Sequence, residues 1–517
     1  MKQFFILIAI FIIPTLASSQ SNSVINYGDS TQLLIGEKGV VDQSGNTIIL
    51  GRHSKQGQDY PLISCFDANQ VQKFSISLNT TGYVASKLID AGNGEFIGTY
   101  SSGVNAIILK FNLAGDILWS KVFNNVADLE SIAIDNTGAI YVAGGFVQNL
   151  YLIKLLANGS ILWVKQYQLG SNYVFGRGLI VTPSNNVLLM ASSTYMGGTS
   201  NRISLLHINP NGTMIWKKTY YSNVGFVGND IARSPKTGHY LIAGYSGNLN
   251  NANTLNAFTL LVDSAGNYIN NMVLGYIWWD AHYAVEALPE GGFVSSGLCK
   301  PQEICGGNGM FIKYTDMNDT VLTRVYGAQS GQGAIFQDIH YSNSGGIVAF
   351  GGGSTFGYWN NGSEMETLRF NNNLEVNCHR YNQTLTKSSL SILTDTTMLS
   401  ESGVSLTYTN LGEVVLEHLK AADPCLQIPL SSSDAVTMTT CSVYPNPSRG
   451  AIQLHMSGEK IAGIVVYDIM GKVVHSQEGS RMDKDRIDMR SAMSGVYILR
   501  VESVSGKRGV HRVLITD

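Results

Sequence analysis

One repeated unit constrains this chain more than any other feature. Between Ser131 and Tyr167 (SIAIDNTGAIYVAGGFVQNLYLIKLLANGSILWVKQY), four short apolar runs alternate with the turn signals DNTG, FVQN and ANGS. The runs are too short for helices and rich in Ile, Val, Leu and Tyr. Gly, Asn or Asp bounds each of them, so strands joined by hairpins are expected. The second run follows a glycine-bearing turn and closes on a small residue, at 44–51, 92–99, 137–144, 185–192, 237–244, 291–297, 345–351 and 396–403. A turn between the third and fourth runs recurs as well, as in FNLAGDILWSKVF (111–123), INPNGTMIWKKTY (208–220) and YTNLGEVVLEHLK (408–420). Eight copies are counted between about Gly28 and Lys420. An all-β chain with four strands per unit predicts an eight-bladed β-propeller of four-stranded blades, with seven blades plus a stray pair of strands as the alternative. A closed ring is preferred to a straight solenoid because closure protects the sheet edges.

What repeats in this way is scaffold. Trp119, Trp163 and Trp216 hold the same place in three consecutive copies, which predicts packing between blades rather than a ligand platform. The turns at Asn209, Asp263 and Asp316 use residues that a tight hairpin demands and lack the alternating oxygen ligands of a calcium loop. The unit resembles the β-propeller repeats of bacterial exported proteins, in which a turn of the form Asp-x-x-Gly precedes Ile-Leu-Trp. That resemblance covers about 28–420 and implies fold, not activity.

Chemistry must therefore come from where the copies differ. The ten histidines have no metal spacing, and neither an HExxH nor a GxSxG motif occurs. No catalytic residue, metal site or cofactor is expected. One constellation stands out: Glu130, Asp230 and Asp338 each lie eight residues before the glycine that opens the second strand, at Gly138, Gly238 and Gly346. The innermost strand of a blade borders the central channel, so these carboxylates are candidates for its lining. The knot YIWWDAHY (276–283) places aromatics on both faces of a strand. The stretch GGGSTFGYWNNGSEM (351–365) offers Phe356, Tyr358 and Trp359 amid Gly, Ser and Asn, as a candidate recognition loop.

Lys2 followed by the apolar run Phe4 to Leu16, with Ala17-Ser18-Ser19 before a cut at Gln20, reads as a secretory signal peptide at 1–19. No later stretch is apolar enough for a transmembrane span. An exported chain tolerates disulfides, and Cys299 and Cys305 flank the short loop KPQEI as a candidate pair. Cys425 and Cys441 are a second candidate pair. The formal net charge of −3 gives no footprint for nucleic acid.

The chain changes character beyond a connector at 421–441. Residues 442–517 hold 19 charged residues in 76, against 52 in the 441 before them, and the repeat stops. Short strands in the blocks VYPNPSRG (443–450), GIVVYDIMGKVV (463–474), MSGVYILRV (493–501) and RVLI (512–515) predict a small antiparallel sandwich, Ig-like in class. In order and position these blocks closely resemble the type A C-terminal sorting domain of the type IX secretion system (also called the Por secretion system) of Bacteroidota. The resemblance implies signal-peptide-driven export to the periplasm, passage through the outer membrane, removal of the domain by the pathway's sortase and, commonly, attachment at the cell surface. It implies recognition through Tyr444, Pro445, Asn446, Pro447 and Gly450, through Tyr467, Asp468, Gly471 and Lys472, and through Gly495 and Tyr497. The organisation expected is signal peptide 1–19, propeller 20–420, linker 421–441 and sorting domain 442–517.

The function expected is a secreted or cell-surface binding or adhesion module, with an extracellular glycan or protein as ligand and the secretion machinery as partner. A secreted polysaccharide hydrolase or lyase using the channel, and a structural surface component, are the alternatives.

Overall fold

A computed structural model describes residues 23–28, 33–422 and 441–516, apart from short gaps, the longest at 195–200, 248–254, 301–307, 327–333, 354–363 and 479–485. The chain divides into two units, Met1–Gln427 and Ile428–Asp517. All regular elements among the described residues are strands.

The first unit holds seven five-stranded antiparallel sheets. Their innermost strands are Leu33–Val41, Val84–Gly92, Leu129–Ile134, Tyr173–Val181, Phe226–Arg233, Trp279–Ala287 and Ala334–Ser342, for blades 1 to 7 in chain order. Each innermost strand packs against the next, and that of blade 7 returns to blade 1, so the ring is closed. Three further strands follow outward in blades 1 to 6. In blade 7 the fourth place is taken by Ser23–Gly28, which pairs antiparallel with Glu364–Phe370. The first described strand of the chain thus locks onto the last blade.

Local chemistry explains the blades. Asp135, Asn209 and Asp263 each accept two backbone amides of their own hairpin turn through Oδ1, at 2.7–3.0 Å. Their side chains are spent on turn formation. The periodic tryptophans pack between blades as expected. Trp119 lies under the turn at Gly159 of blade 3 and donates Nε1–H to Ala157 O at 3.1 Å, and Trp216 lies under Gly266 of blade 5. A tyrosine on the same fourth strands adds a tie to the next blade: the Tyr167 hydroxyl donates to Gly212 O at 2.8 Å, and that of Tyr220 to Gly266 O.

The small residue that closes the second strand also has a physical reason. At Gly51, Gly144, Gly244, Gly297 and Gly351, an added Cβ would sit 1.9–2.2 Å from a carbonyl oxygen of the innermost strand. Any side chain there would force the two strands apart.

The eighth copy is corrected. Its two segments, 396–403 and 408–420, form no sheet of their own. They belong to a stretch that turns back around the ring and gives one strand to the outer edge of every blade: Arg380–Tyr381 to blade 6, Thr386–Ser388 to 5, Leu393–Asp395 to 4, Glu401–Gly403 to 3, Tyr408–Thr409 to 2, Val414–Leu416 to 1 and Lys420–Ala422 to 7. The order is the reverse of the blades' own, so the stretch is a girdle. Each strand pairs antiparallel over two or three residues. Turn signals and short apolar runs are common to girdle and blade. The apolar-in burial of second and third strands is not: Leu393, Met398 and Tyr408 are exposed.

The second unit has a three-stranded sheet (Cys441–Tyr444, Ala451–Met456, Arg486–Asp488) and a four-stranded one (Ile461–Asp468, Val473–Glu478, Gly495–Ser503, Arg508–Ile515). Both contribute to one apolar core built from Ile452, Leu454, Ile464, Val466, Leu499, Val501 and Val513.

Candidate functional site

Besides a second irregularity between Asp90 and Gly92 in blade 2, every innermost strand carries one β-bulge, and these seven fall at the same level. The extra residues are Glu37, Ser86, Glu130, Arg177, Asn229, Tyr283 and Gln337. A bulge turns a side chain out of the ladder and bends the strand, a recurrent device beside functional sites. Here it adds polar groups to the inner face of every blade, beside the charged Lys38, Lys87 and Asp230 of the same strands. Six of them, all but Glu37, line a cavity of about 430 Å³ together with Lys38, Lys87, Asp128 and Asp230. Every blade contributes. Val84, Ser101–Gly103 and Asp128 at its rim place the cavity at the end of the channel where the innermost strands begin.

The cavity has a floor. Lys87 Nζ of blade 2 lies 3.7 Å from Asp230 Oδ2 of blade 5. Those blades are three apart in a ring of seven, so the ion pair spans the channel. Asp230 is held in place by the Val285 amide of blade 6 at 3.2 Å. Arg177 Nε lies 3.2 Å from Glu130 Oε2, and its Nη1 donates to Asn229 Oδ1 at 2.6 Å. Lys38 donates to Gln337 O at 2.7 Å. Burial pushes the Asp128, Glu130 and Asp230 carboxyls above their ordinary values, with Arg177 or Lys87 partly offsetting it. It pushes the Lys38 ammonium below its own. For Lys87 burial works against the charge, but Asp230, Asp338 and Glu286 outweigh it.

Beyond the floor lies a second polar cluster. The Gly39 amide donates to Asp338 Oδ2 at 3.3 Å, and His340 bridges Asp338 (3.2 Å) and Glu286 (3.4 Å). Burial opposes the His340 charge, but the two carboxylates prevail and push its pKa up to about 10. Burial likewise opposes the Asp338 charge, but His340 and the two lysines hold it well below the carboxylate range. Glu37 turns away from the cavity, accepts the Ala85 amide at 2.7 Å and pairs with Arg52 at 3.2 Å; burial still pushes it up to about 7.

The three carboxylates singled out from sequence therefore all reach the channel wall, but not as equivalents. Glu130 is a bulge residue, whereas Asp230 and Asp338 each follow the bulge of their strand. Glu130 and Asp230 line the cavity; Asp338 lies beyond its floor. In blade 5 the turn between the first two strands is one residue longer than in blade 3, which defeats counting back from the turn glycine. Counting back from the glycine that closes the second strand succeeds better. The bulge residue stands fourteen positions before Gly51, Tyr100, Gly144, Ala191, Gly297 and Gly351, and fifteen before Gly244. Counted from a glycine, it would have found Tyr283 and Gln337, but not Arg177, whose blade has Ala191 at that place, nor Asn229, which lies one position further back.

Phe356, Tyr358 and Trp359 lie outside the described residues, as do residues 276–278 of the aromatic knot. The flanking strand end Gly353 pairs with Ala334, at the end of blade 7 where the innermost strand begins. Cys299 is a buried free thiol whose pKa is raised by burial and by Asp280; Cys305 is outside the described residues.

In the second unit, Tyr444 and Pro445 are exposed. Asn446 donates to Arg512 O at 2.7 Å and accepts the Leu514 amide at 2.9 Å, which pins the opening segment to the final strand. Gly450 has φ +93°, and an added Cβ would lie 2.6 Å from the Arg490 backbone, so only glycine fits. Tyr467 and Asp468 end one strand beside Ile498 and Tyr497 of the next, and Gly495 opens that next strand. Pro447, Gly471 and Lys472 are outside the described residues.

Residues 442–516 match the family model of the secretion system C-terminal sorting domain. No curated protein matches the chain. Among solved structures 51 chains match. One, described as "Structure of Dos1 propeller", is 10% identical, with 67% of this chain and 95% of that chain covered and a TM-score of 0.41. The strand pairing above, not this likeness, carries the fold. Among the described residues no helix is long and apolar enough to cross a membrane.

Proposed function

We propose, from the premise that residues 442–516 are a type IX secretion C-terminal sorting domain, that this protein is an exported binding module. The tail implies export by that pathway and a secreted or cell-surface fate. In this reading residues 1–19 direct the chain to the periplasm, and residues 20–420 are the cargo. The connector at 421–441 lets the machinery and its sortase reach the tail, and attachment at the cell surface follows. The observation that supports the binding role is the cavity: six blades bring polar bulge residues, and the first brings Lys38, to one walled space, an arrangement that scaffolding alone does not require. A chain ending at Cys441 is expected to stay in the periplasm while the full chain reaches the surface or medium. Equal surface delivery of both would overturn the export reading.

A second reading is an enzyme acting on polysaccharide. It is favoured by Glu130 and Asp230, two carboxyls in one cavity, both with pKa values raised by burial. Release of reducing ends by the purified chain, lost in Glu130→Gln, would establish it; binding without turnover leaves the module.

A further inference from the structure

The wall of the cavity offers opposite charges in equal number: Lys38, Lys87 and Arg177 face Asp128, Glu130 and Asp230. Such a site has no net charge with which to draw in an anion or a cation. An ionic ligand would have to displace one wall partner and leave another buried and unpaired, which is costly. A hydroxyl group escapes this conflict, because it donates to a carboxylate and accepts from an ammonium or guanidinium at once. Asn229 and the Gln337 side chain extend the same donor and acceptor mixture, and the Tyr283 ring offers an apolar face for C–H groups. The space is also short. The Lys87–Asp230 pair crosses the channel, so a ligand that enters where the innermost strands begin meets it. At about 430 Å³ the cavity lies in the lower part of the size range of small-ligand sites.

Resting on the binding reading above, we infer that the cavity is a blind socket for the terminal mono- or disaccharide of a neutral glycan. It reads chain ends, not chain interiors. Arg177, Asn229 and Glu130 hold the sugar hydroxyls, and the Lys87–Asp230 bar sets the depth.

The test uses the full chain on an array of neutral, sialylated and uronate-bearing glycans, with a parallel panel of immobilised extracellular matrix proteins. Neutral glycans are expected to bind, with the free terminal disaccharide competing as well as the whole glycan. Arg177→Met and Asn229→Ala should each weaken binding at least tenfold in a chain that is still folded at the assay temperature, although each also loses a buried contact, to Glu130 and to His282 O respectively. Lys87→Ala/Asp230→Ala should let longer free oligosaccharides compete better than the disaccharide, because the bar is gone. Exclusive binding of acidic glycans, or neutral binding indifferent to Arg177→Met, overturns the socket. A silent glycan array with a matrix protein bound overturns the socket and leaves the binding reading standing. Silence on both panels overturns both.

Discussion

At the channel each sheet ends on a strand of six to nine residues, bent by a bulge and turned toward a walled cavity. At the perimeter the same sheet ends on a girdle strand of two or three residues, and Leu393–Asp395, Glu401–Gly403 and Tyr408–Thr409 are largely exposed. Both are sheet edges, and an edge with free N–H and C=O groups invites pairing with another chain. The inner edge is protected by ring closure, which brings the first two strands so close that five of the seven blades carry glycine where they pass. The outer edge is protected by the chain's own return path, which pairs over only two or three residues per blade and adds a few side-chain contacts, such as Leu411 and Leu406 against the blade cores. Where the ring dictates the backbone, each blade is still free to choose the one residue that its bulge presents, and that is where chemistry differs from blade to blade.

Removal of the girdle should break this comparison most visibly. A chain ending at Val376 exposes seven outer edges, and light scattering is expected to show self-association where the full chain is monodisperse. Next in size come the wall glycines. Gly144→Ala and Gly244→Ala each bring a Cβ within 2.2 Å of a carbonyl oxygen, and unfolding should register a loss of roughly 3 kcal/mol each.

The buried charges sharpen the contrast through pH. His340 titrates at about 10 in the folded chain against 6.5 unfolded, so its contribution is full below pH 6.5 and is lost as pH rises through 10. Glu37, pushed up to about 7 by burial, contributes fully below 4.5 and loses that contribution as pH rises through 7. Thermal stability should therefore fall from pH 4.5 toward 10. Glu37→Gln should flatten the lower part of the slope and His340→Gln the upper. A girdle variant should leave the slope as it is. The smallest effect belongs to the perimeter: Tyr408 stacks under Lys121 Nζ at 3.7 Å and against Phe123, and Tyr408→Ala should cost about 1 kcal/mol by thermal melt.

This contrast also explains what the sequence reveals. Second, third and fourth strands are legible because hairpin turns need Asn, Asp and Gly at fixed offsets, and because the strands bury alternate or continuous apolar runs. The tail is legible for a similar reason: Gly450 and Asn446 are demanded by geometry that no other residue meets as well. The girdle was misread as an eighth blade because Leu390, Ile392, Val404, Leu406 and Leu411, which pack against the blade cores, make its sequence resemble the short apolar runs of a blade. The cavity was half legible. Glu130 and Asp230 stand out as carboxylates eight residues before a turn glycine, but Arg177 and Asn229 are ordinary residues until the bulge that turns them inward is known. Lys87 and Asp230 are 143 residues apart, and only ring closure brings them together.

The account turns on a division of labour, in which the channel wall binds and the perimeter holds. It is tested most directly by measuring glycan affinity and melting temperature side by side for Arg177→Met and Tyr408→Ala. The account predicts that the wall variant loses binding about tenfold or more while still folded at the assay temperature, and that the girdle variant melts lower with its affinity intact. The reverse pattern, with affinity lost at the girdle and retained at the wall, would contradict it.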